Sequence, residues 1–176
     1  MLELHPFEAN RARNWYELSR ESVKAIYGDD WRLFCGLLAA TSARASVKGN
    51  VTLARKAYNQ IKDTGTITRV GFINSHHKSI LQVVKIGEPS GRKCKALYQN
   101  LIGNEYYVPV DIWMMRYAGI NKQAPSRLEY DIIEERVRDE AKGLGITTAQ
   151  RQAEIWSETR GSSESYAESI SQYRMF

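Results

Sequence analysis

The sequence predicts an all-α fold, and two observations carry that prediction. Apolar residues recur at helical spacing between cap and stop signals, and no apolar/polar alternation is long enough to build a sheet. The 176 residues suit one compact multi-helix domain over 1–161, followed by a tail or weakly held helix over 162–176 that is rich in Ser and Glu. With 43% hydrophobic and 26% charged residues, the composition is that of a soluble chain able to bury a core.

Pro6 opens a helical pattern to Ile26, in which Trp15, Leu18, Val23 and Ile26 share a face and Gly28 ends the run. Asp29 or Asp30 is expected to cap the next helix, Trp31 to Ala40. Its uncharged stretch from Leu33 to Ala40 marks it as the centre of the core. A polar break at Thr41–Arg44 precedes a helix from Ser46 to Ile61, and Asp63–Thr66 is a turn. Asn74 or Ser75 is expected to cap a helix to Lys85, and Gly87–Gly91 connects it to a helix ending at Leu101. Pro109 keeps Tyr106–Val110 extended, and Asp111 then caps a helix through Tyr117. Ser126 and Glu129 form a capping box for a long helix to Lys142. Thr147 and Thr148 open one more helix, to Arg160.

Several functions are excluded or disfavoured at this level. Two cysteines, Cys35 and Cys94, leave no room for a disulfide framework or a four-cysteine iron–sulfur cluster. No metal-ligand spacing is present, and no organic cofactor is expected. Phosphate-loop, zinc-protease, nucleophile-elbow and zinc-deaminase signatures are all lacking. There is no membrane-spanning run and no signal-peptide pattern at the start, so a cytoplasmic location is expected. The charge distribution is more informative than the net +5. Arg44 to Lys95 holds eleven Lys or Arg against Asp63 and Glu88, a local +9 that leaves −4 elsewhere. One face toward a polyanion would produce that asymmetry; so would a solvated basic face.

Two segments stand out as chemistry. In Gly87-Glu88-Pro89-Ser90-Gly91-Arg92-Lys93, a glycine-containing connection leads straight into a helix N-terminus, where free N–H groups suit a phosphate. The alternative is a plain connector. In Val108-Pro109-Val110-Asp111-Ile112-Trp113, an acid follows an apolar extended stretch and is either a simple N-cap or a working carboxylate. His76 and His77 are expected to be exposed or phosphate-facing. Trp113, Tyr98, Tyr106 and Tyr107 are candidates either for base stacking or for the core. Arg116 is expected at a phosphate or in a salt bridge near Glu134 and Glu135.

Taken together, Gly91-Arg92-Lys93 and Val110-Asp111, with eighteen positions between Lys93 and Asp111, resemble the helix-hairpin-helix DNA glycosylase superfamily. Leu37-Leu38-Ala39-Ala40-Thr41-Ser42 and Val70-Gly71-Phe72-Ile73-Asn74-Ser75 resemble two further segments of that superfamily. The stretch from Ala149-Gln150 to Ile155-Trp156 fits its closing helix, and small phage or plasmid-borne relatives are the most similar. The resemblance implies an endonuclease III-like fold without the iron–sulfur cluster, built around a central helix-hairpin-helix. It also implies excision of a damaged or modified base from double-stranded DNA, with or without lyase activity, by a protein favoured to be a monomer. Lys93 would be the nucleophile and Asp111 its electrostatic or base partner. Gly87, Ser90, Gly91, Arg92, Lys95 and Lys48 would hold DNA, and Thr41, Ser42, Asn74 and Trp113 would line the base pocket. A monovalent cation at the hairpin carbonyls belongs to the same resemblance. Two alternatives stay open: a non-catalytic DNA-binding module, and a phage enzyme that tailors hypermodified bases on this fold.

Overall fold

The computed structural model describes residues 6–175, which form ten α-helices and no strand, so the all-α prediction holds. Residues 1–5 of the expected 1–161 unit, and Phe176, lie outside the described residues. The helices are α1 (Pro6–Arg13), α2 (Trp15–Tyr27), α3 (Trp31–Ala40), α4 (Val47–Thr64) and α5 (Asn74–Ile86). They continue as α6 (Arg92–Leu101), α7 (Ile112–Tyr117), α8 (Arg127–Leu144), α9 (Thr148–Arg160) and α10 (Tyr166–Ser171). Among the described residues, no helix is long and apolar enough to cross a membrane.

Local chemistry explains most boundaries. Ser46 caps α4 by accepting from the Gly49 N–H, and Asp111 caps α7. Capping boxes open α8 (Ser126 with Glu129) and α9 (Thr147 with Gln150). Three expectations fail. The helix expected from Pro6 to Ile26 breaks at Asn14, a residue whose amide competes with helical hydrogen bonds and here donates to Asn10 Oδ1. Asp30 does not cap α3; its carboxylate accepts from the Tyr58 hydroxyl at 2.8 Å and pairs with Lys62, tying α3 to α4. Asn74 is the first residue inside α5, whose N-cap is Ile73 and lacks a side-chain bond.

The core has two parts. The larger gathers Phe34–Ala40 of α3 with Val51, Ala54 and Ala57 of α4, Ile80 and Val83 of α5, Leu97 and Leu101 of α6, and Trp15, Tyr16 and Val23 of α2. Burying one such large side chain contributes about 1.5–3 kcal/mol, which is why α3, uncharged and buried from Phe34 to Ala40, sits at the centre. It approaches α5 so closely that a Cβ on Gly36 would lie 3.0 Å from Val83 Cγ1. The smaller part joins Val108 and Val110 to Met114 and Met115 of α7, Tyr130, Ile133 and Val137 of α8, and Ile155 of α9. Trp156 packs against both parts.

The segment after 161, expected to be a tail or a weakly held helix, is helical over part of its length. It carries α10, whose Tyr166 and Ile170 belong to the larger core, packed on α2 and α4. The cause is non-local: a Ser- and Glu-rich run is held through two apolar residues that find a groove made far away in sequence. Extended residues Tyr106–Val110 are held from both sides. The Asn100 side chain exchanges two bonds with the Tyr107 backbone, and the Tyr130 hydroxyl donates to the Val108 carbonyl at 2.6 Å.

Candidate functional site

Six helices from both ends of the chain, with Asp111 at the N-cap of α7, meet at the seam between the two core parts and leave a cavity of about 90 Å³ there. Trp15 and Tyr16 (α2), Trp156 (α9), Tyr166 (α10) and Trp113 (α7) supply aromatic walls. Lys93, Asp111, Asn50 and Gln152 supply polar groups. The cavity opens into a groove of about 680 Å³, and the two share Ser42, Ala45, Lys93, Asp111 and Trp113, which therefore form the mouth.

Asp111 has two roles fixed by its two oxygens. Oδ1 accepts from the backbone N–H groups of Trp113 and Met114, both at 3.0 Å, and so caps α7. Oδ2 accepts from the Trp156 indole N–H at 2.6 Å. The simple-cap reading and the working-carboxylate reading are thus compatible in one residue. Lys93, on the first turn of α6, is half-buried at the mouth. No ion pair joins it to Asp111 or to any other carboxylate among the described residues, so its amine is uncommitted.

The hairpin is as compact as its sequence suggests. Gly87 (φ 83°) and Gly91 (φ 88°) take left-handed backbone conformations that a side chain would strain. The Ser90 N–H donates to Ser79 Oγ at 3.0 Å, and that hydroxyl donates to the Ser90 carbonyl at 3.4 Å. The Ser90 carbonyl of the hairpin is thereby already engaged. Lys95 and Lys48 are exposed. Arg92 is not free: its guanidinium pairs with Asp131 (2.6 Å) and Glu134 (2.9 Å) and lies 3.9 Å over the Tyr130 ring, pinning α6 to α8.

Of the four residues expected in the base pocket, Ser42 and Trp113 line the cavity. Thr41 and Asn74 do not. Thr41 is fully buried, donates to the Leu37 carbonyl and accepts from Asn50 Nδ2, so it is a core hydroxyl satisfied within the fold. Asn74 is exposed at the start of α5. His76 is buried rather than exposed: its Nε2 meets the Ala43 carbonyl at 2.7 Å, its Nδ1 is buried without a partner, and burial lowers its pKa. It therefore clamps the loop at the cavity mouth in its neutral form. Within that loop Arg44 has φ 57°, the sole non-glycine positive value among the described residues, and it lines the groove. Tyr98 belongs to the core, Tyr106 and Tyr107 are exposed elsewhere, and Arg116 lies 4.6 Å over the Trp113 ring.

Several site residues carry no local sequence signal. Asn50 donates to the Leu38 carbonyl and to Thr41 and accepts from the Tyr166 hydroxyl. The Tyr16 hydroxyl donates to Gln152 Oε1 at 2.6 Å. Burial raises both phenols, which keeps them as neutral donors. Behind Trp156, the Arg160 guanidinium stacks at 3.7 Å, and burial pulls its pKa down to about 10. Among the described residues, no three His, Cys, Asp or Glu side chains come close enough to hold a metal ion.

No curated protein and no solved structure matches this chain. Residues 5–163 match the family described as "Family of unknown function (DUF7178)", and since that span covers most of the sequence, the protein belongs to that family.

Proposed function

We propose that this protein is a DNA glycosylase that draws a base into the cavity and attacks its sugar at the mouth. The observation that supports the reading is the joint presence of Lys93 and Asp111 at the rim of one aromatic-walled cavity. An enzyme acting on a base within duplex DNA must extrude it and hold it between apolar or aromatic side chains. When the N-glycosidic bond breaks, the base leaves with the bonding electron pair and the sugar gains positive charge. The Asp111 carboxylate stabilises that charge. Its oxygens already accept three N–H bonds, so its contribution is electrostatic. The Lys93 amine, in its unprotonated form, supplies the electron pair that bonds to C1′. One of its protons neutralises the departing base and the other passes to O4′ as the sugar ring opens, which gives a Schiff base, and strand cleavage can follow. Lys95, Lys48 and the N–H groups of the first turn of α6 would hold the flanking phosphates, while Arg92 ties the hairpin to α8 through Asp131 and Glu134. No step is routed through a cation.

Borohydride trapping on duplexes carrying an abasic site or modified bases tests this. The expected result is a covalent adduct with the wild-type protein that Lys93→Ala abolishes and Asp111→Asn strongly slows. Salt-sensitive duplex binding with neither adduct nor base release would leave Asp111 as a cap and Lys93 as a phosphate contact, which is the binding-module reading. The cap bonds of Asp111 are the observation that favours that alternative.

A further inference from the structure

We infer that the inner end of the cavity is a subsite for the carbonyl edge of a single-ring base, of the 2,4-dioxopyrimidine class, and that Gln152 selects it. Gln152 is 4% exposed, sits on α9 and lines the cavity but not the outer groove. Its Oε1 is taken by the Tyr16 hydroxyl. Burial keeps the Tyr16 phenol protonated, so its hydroxyl donates and the amide oxygen is the end that Gln152 turns toward it. The Gln152 Nε2 has no partner among the described residues. It is also not one of the polar atoms sealed away from contact, which are His76 Nδ1, Ser157 Oγ and Arg160 Nε. Because Gln152 lines the cavity, its two N–H donors are left for a ligand there.

The other groups around the cavity point the same way. Lys93 stands at the mouth, Arg160 lies behind Trp156, and the Asp111 oxygens already accept three N–H bonds. Asn50 has both of its donors and one acceptor position filled inside the fold. Gln152 Nε2 is left as an unfilled donor at the inner end, so the group that meets it must be an acceptor. Size narrows the class. On a scale where a cavity of roughly 150 Å³ admits benzene, about 90 Å³ is less than one ring needs, so a single ring enters only as the mouth widens and a two-ring base is excluded.

The orientation of the base rests on the glycosylase reading. If the sugar is at Lys93, then N1 of a pyrimidine faces the mouth and the C4 substituent, across the ring, reaches Gln152. A 4-oxo group accepts from the amide; a 4-amino group sets donor against donor and leaves both unpaired. That mismatch is worth about tenfold or more in affinity.

The test needs no catalysis. The full chain is titrated with 1-methyluracil, 1-methylcytosine and 9-methyladenine, and quenching of the Trp15, Trp113 and Trp156 fluorescence is followed. The expected result is binding of 1-methyluracil at least about tenfold tighter than that of 1-methylcytosine, and none of the purine. Gln152→Glu keeps an oxygen for Tyr16 and replaces the donors with an acceptor, so the preference should invert. Tyr16→Phe frees Oε1, lets the amide turn, and should reduce the preference to less than about threefold. Equal binding of the two pyrimidines, no binding at millimolar concentration, or an unchanged preference in folded Gln152→Glu and Tyr16→Phe would overturn the inference. A trapped adduct together with any of those results spares the glycosylase reading and removes this one. Uracil selectivity without adduct or base release does the reverse.

Discussion

Asp111 binds three N–H groups with one carboxylate, so its substitutions separate structure from charge. Asp111→Ala removes the α7 cap, which is worth about 1 kcal/mol. It also leaves the half-buried Trp156 N–H without its acceptor, at a further cost of about 1–3 kcal/mol. Asn caps helices as well as Asp does, so Asp111→Asn keeps the Oδ1 bonds and loses only the one to Trp156, where its amide sets donor against donor. The expected order of stability in urea is wild type, then Asn, then Ala, with Ala lower than wild type by about 2 kcal/mol or more. If Asp111→Ala unfolds at the wild-type midpoint, the carboxylate does not hold the seam together. If Asp111→Asn stays folded while base release stops, the charge rather than the cap is what the site uses.

At the level of elements, α10 is the piece whose importance is least visible beforehand. Tyr166 and Ile170 are buried against α2 and α4, and the Tyr166 hydroxyl bonds Asn50 at the wall of the cavity. Ending the chain at Gly161 strips both side chains, each worth about 1.5–3 kcal/mol, and opens the Trp15 and Tyr166 wall. Against a usual total of about 5–15 kcal/mol, that is a large loss. The truncated chain should melt at much lower temperature, with weakened near-UV dichroism from Trp15; an unchanged melting curve would show that α10 is an ornament. The same element shows where reading the sequence stops. Caps such as Ser46, Asp111, Ser126 and Thr147 are legible because the donor and acceptor lie within three residues. Lys93 and Asp111 are legible because each begins a helix after a recognisable connection. Gln152, Trp156, Asn50 and Tyr166 are not, because what defines them is a partner 45 to 136 residues away. Thr41 and Asn74 fail for a related reason: one is drawn into the core by Asn50, and the other falls just inside its helix rather than before it.

Across the whole molecule, charge divides along the same seam. The basic segment forms α4, α5, the hairpin and the first turn of α6, whereas α8 carries the acids that neutralise Arg92. Phosphate contact should therefore come from Lys48 and Lys95, with Arg44 at the groove, and not from Arg92 or from Lys93, whose amine is directed at the sugar. Each neutralised phosphate changes the slope of log K against log salt by about −0.9. Three such contacts give a slope of about −2.7 on duplex DNA. Lys48→Ala with Lys95→Ala should reduce its magnitude by about 2, without change in the unfolding midpoint. Arg92→Ala should do the opposite, leaving the slope nearly unchanged. Its pairs are half-exposed, so together with lost packing on Tyr130 it should lower stability by about 1 kcal/mol. A slope that falls by about 1 in Arg92→Ala would mean that the arginine leaves Asp131 and Glu134 to meet DNA, and that the hairpin moves when the duplex arrives. A slope near zero in the wild type would place the basic face in solvent and take DNA away as the partner.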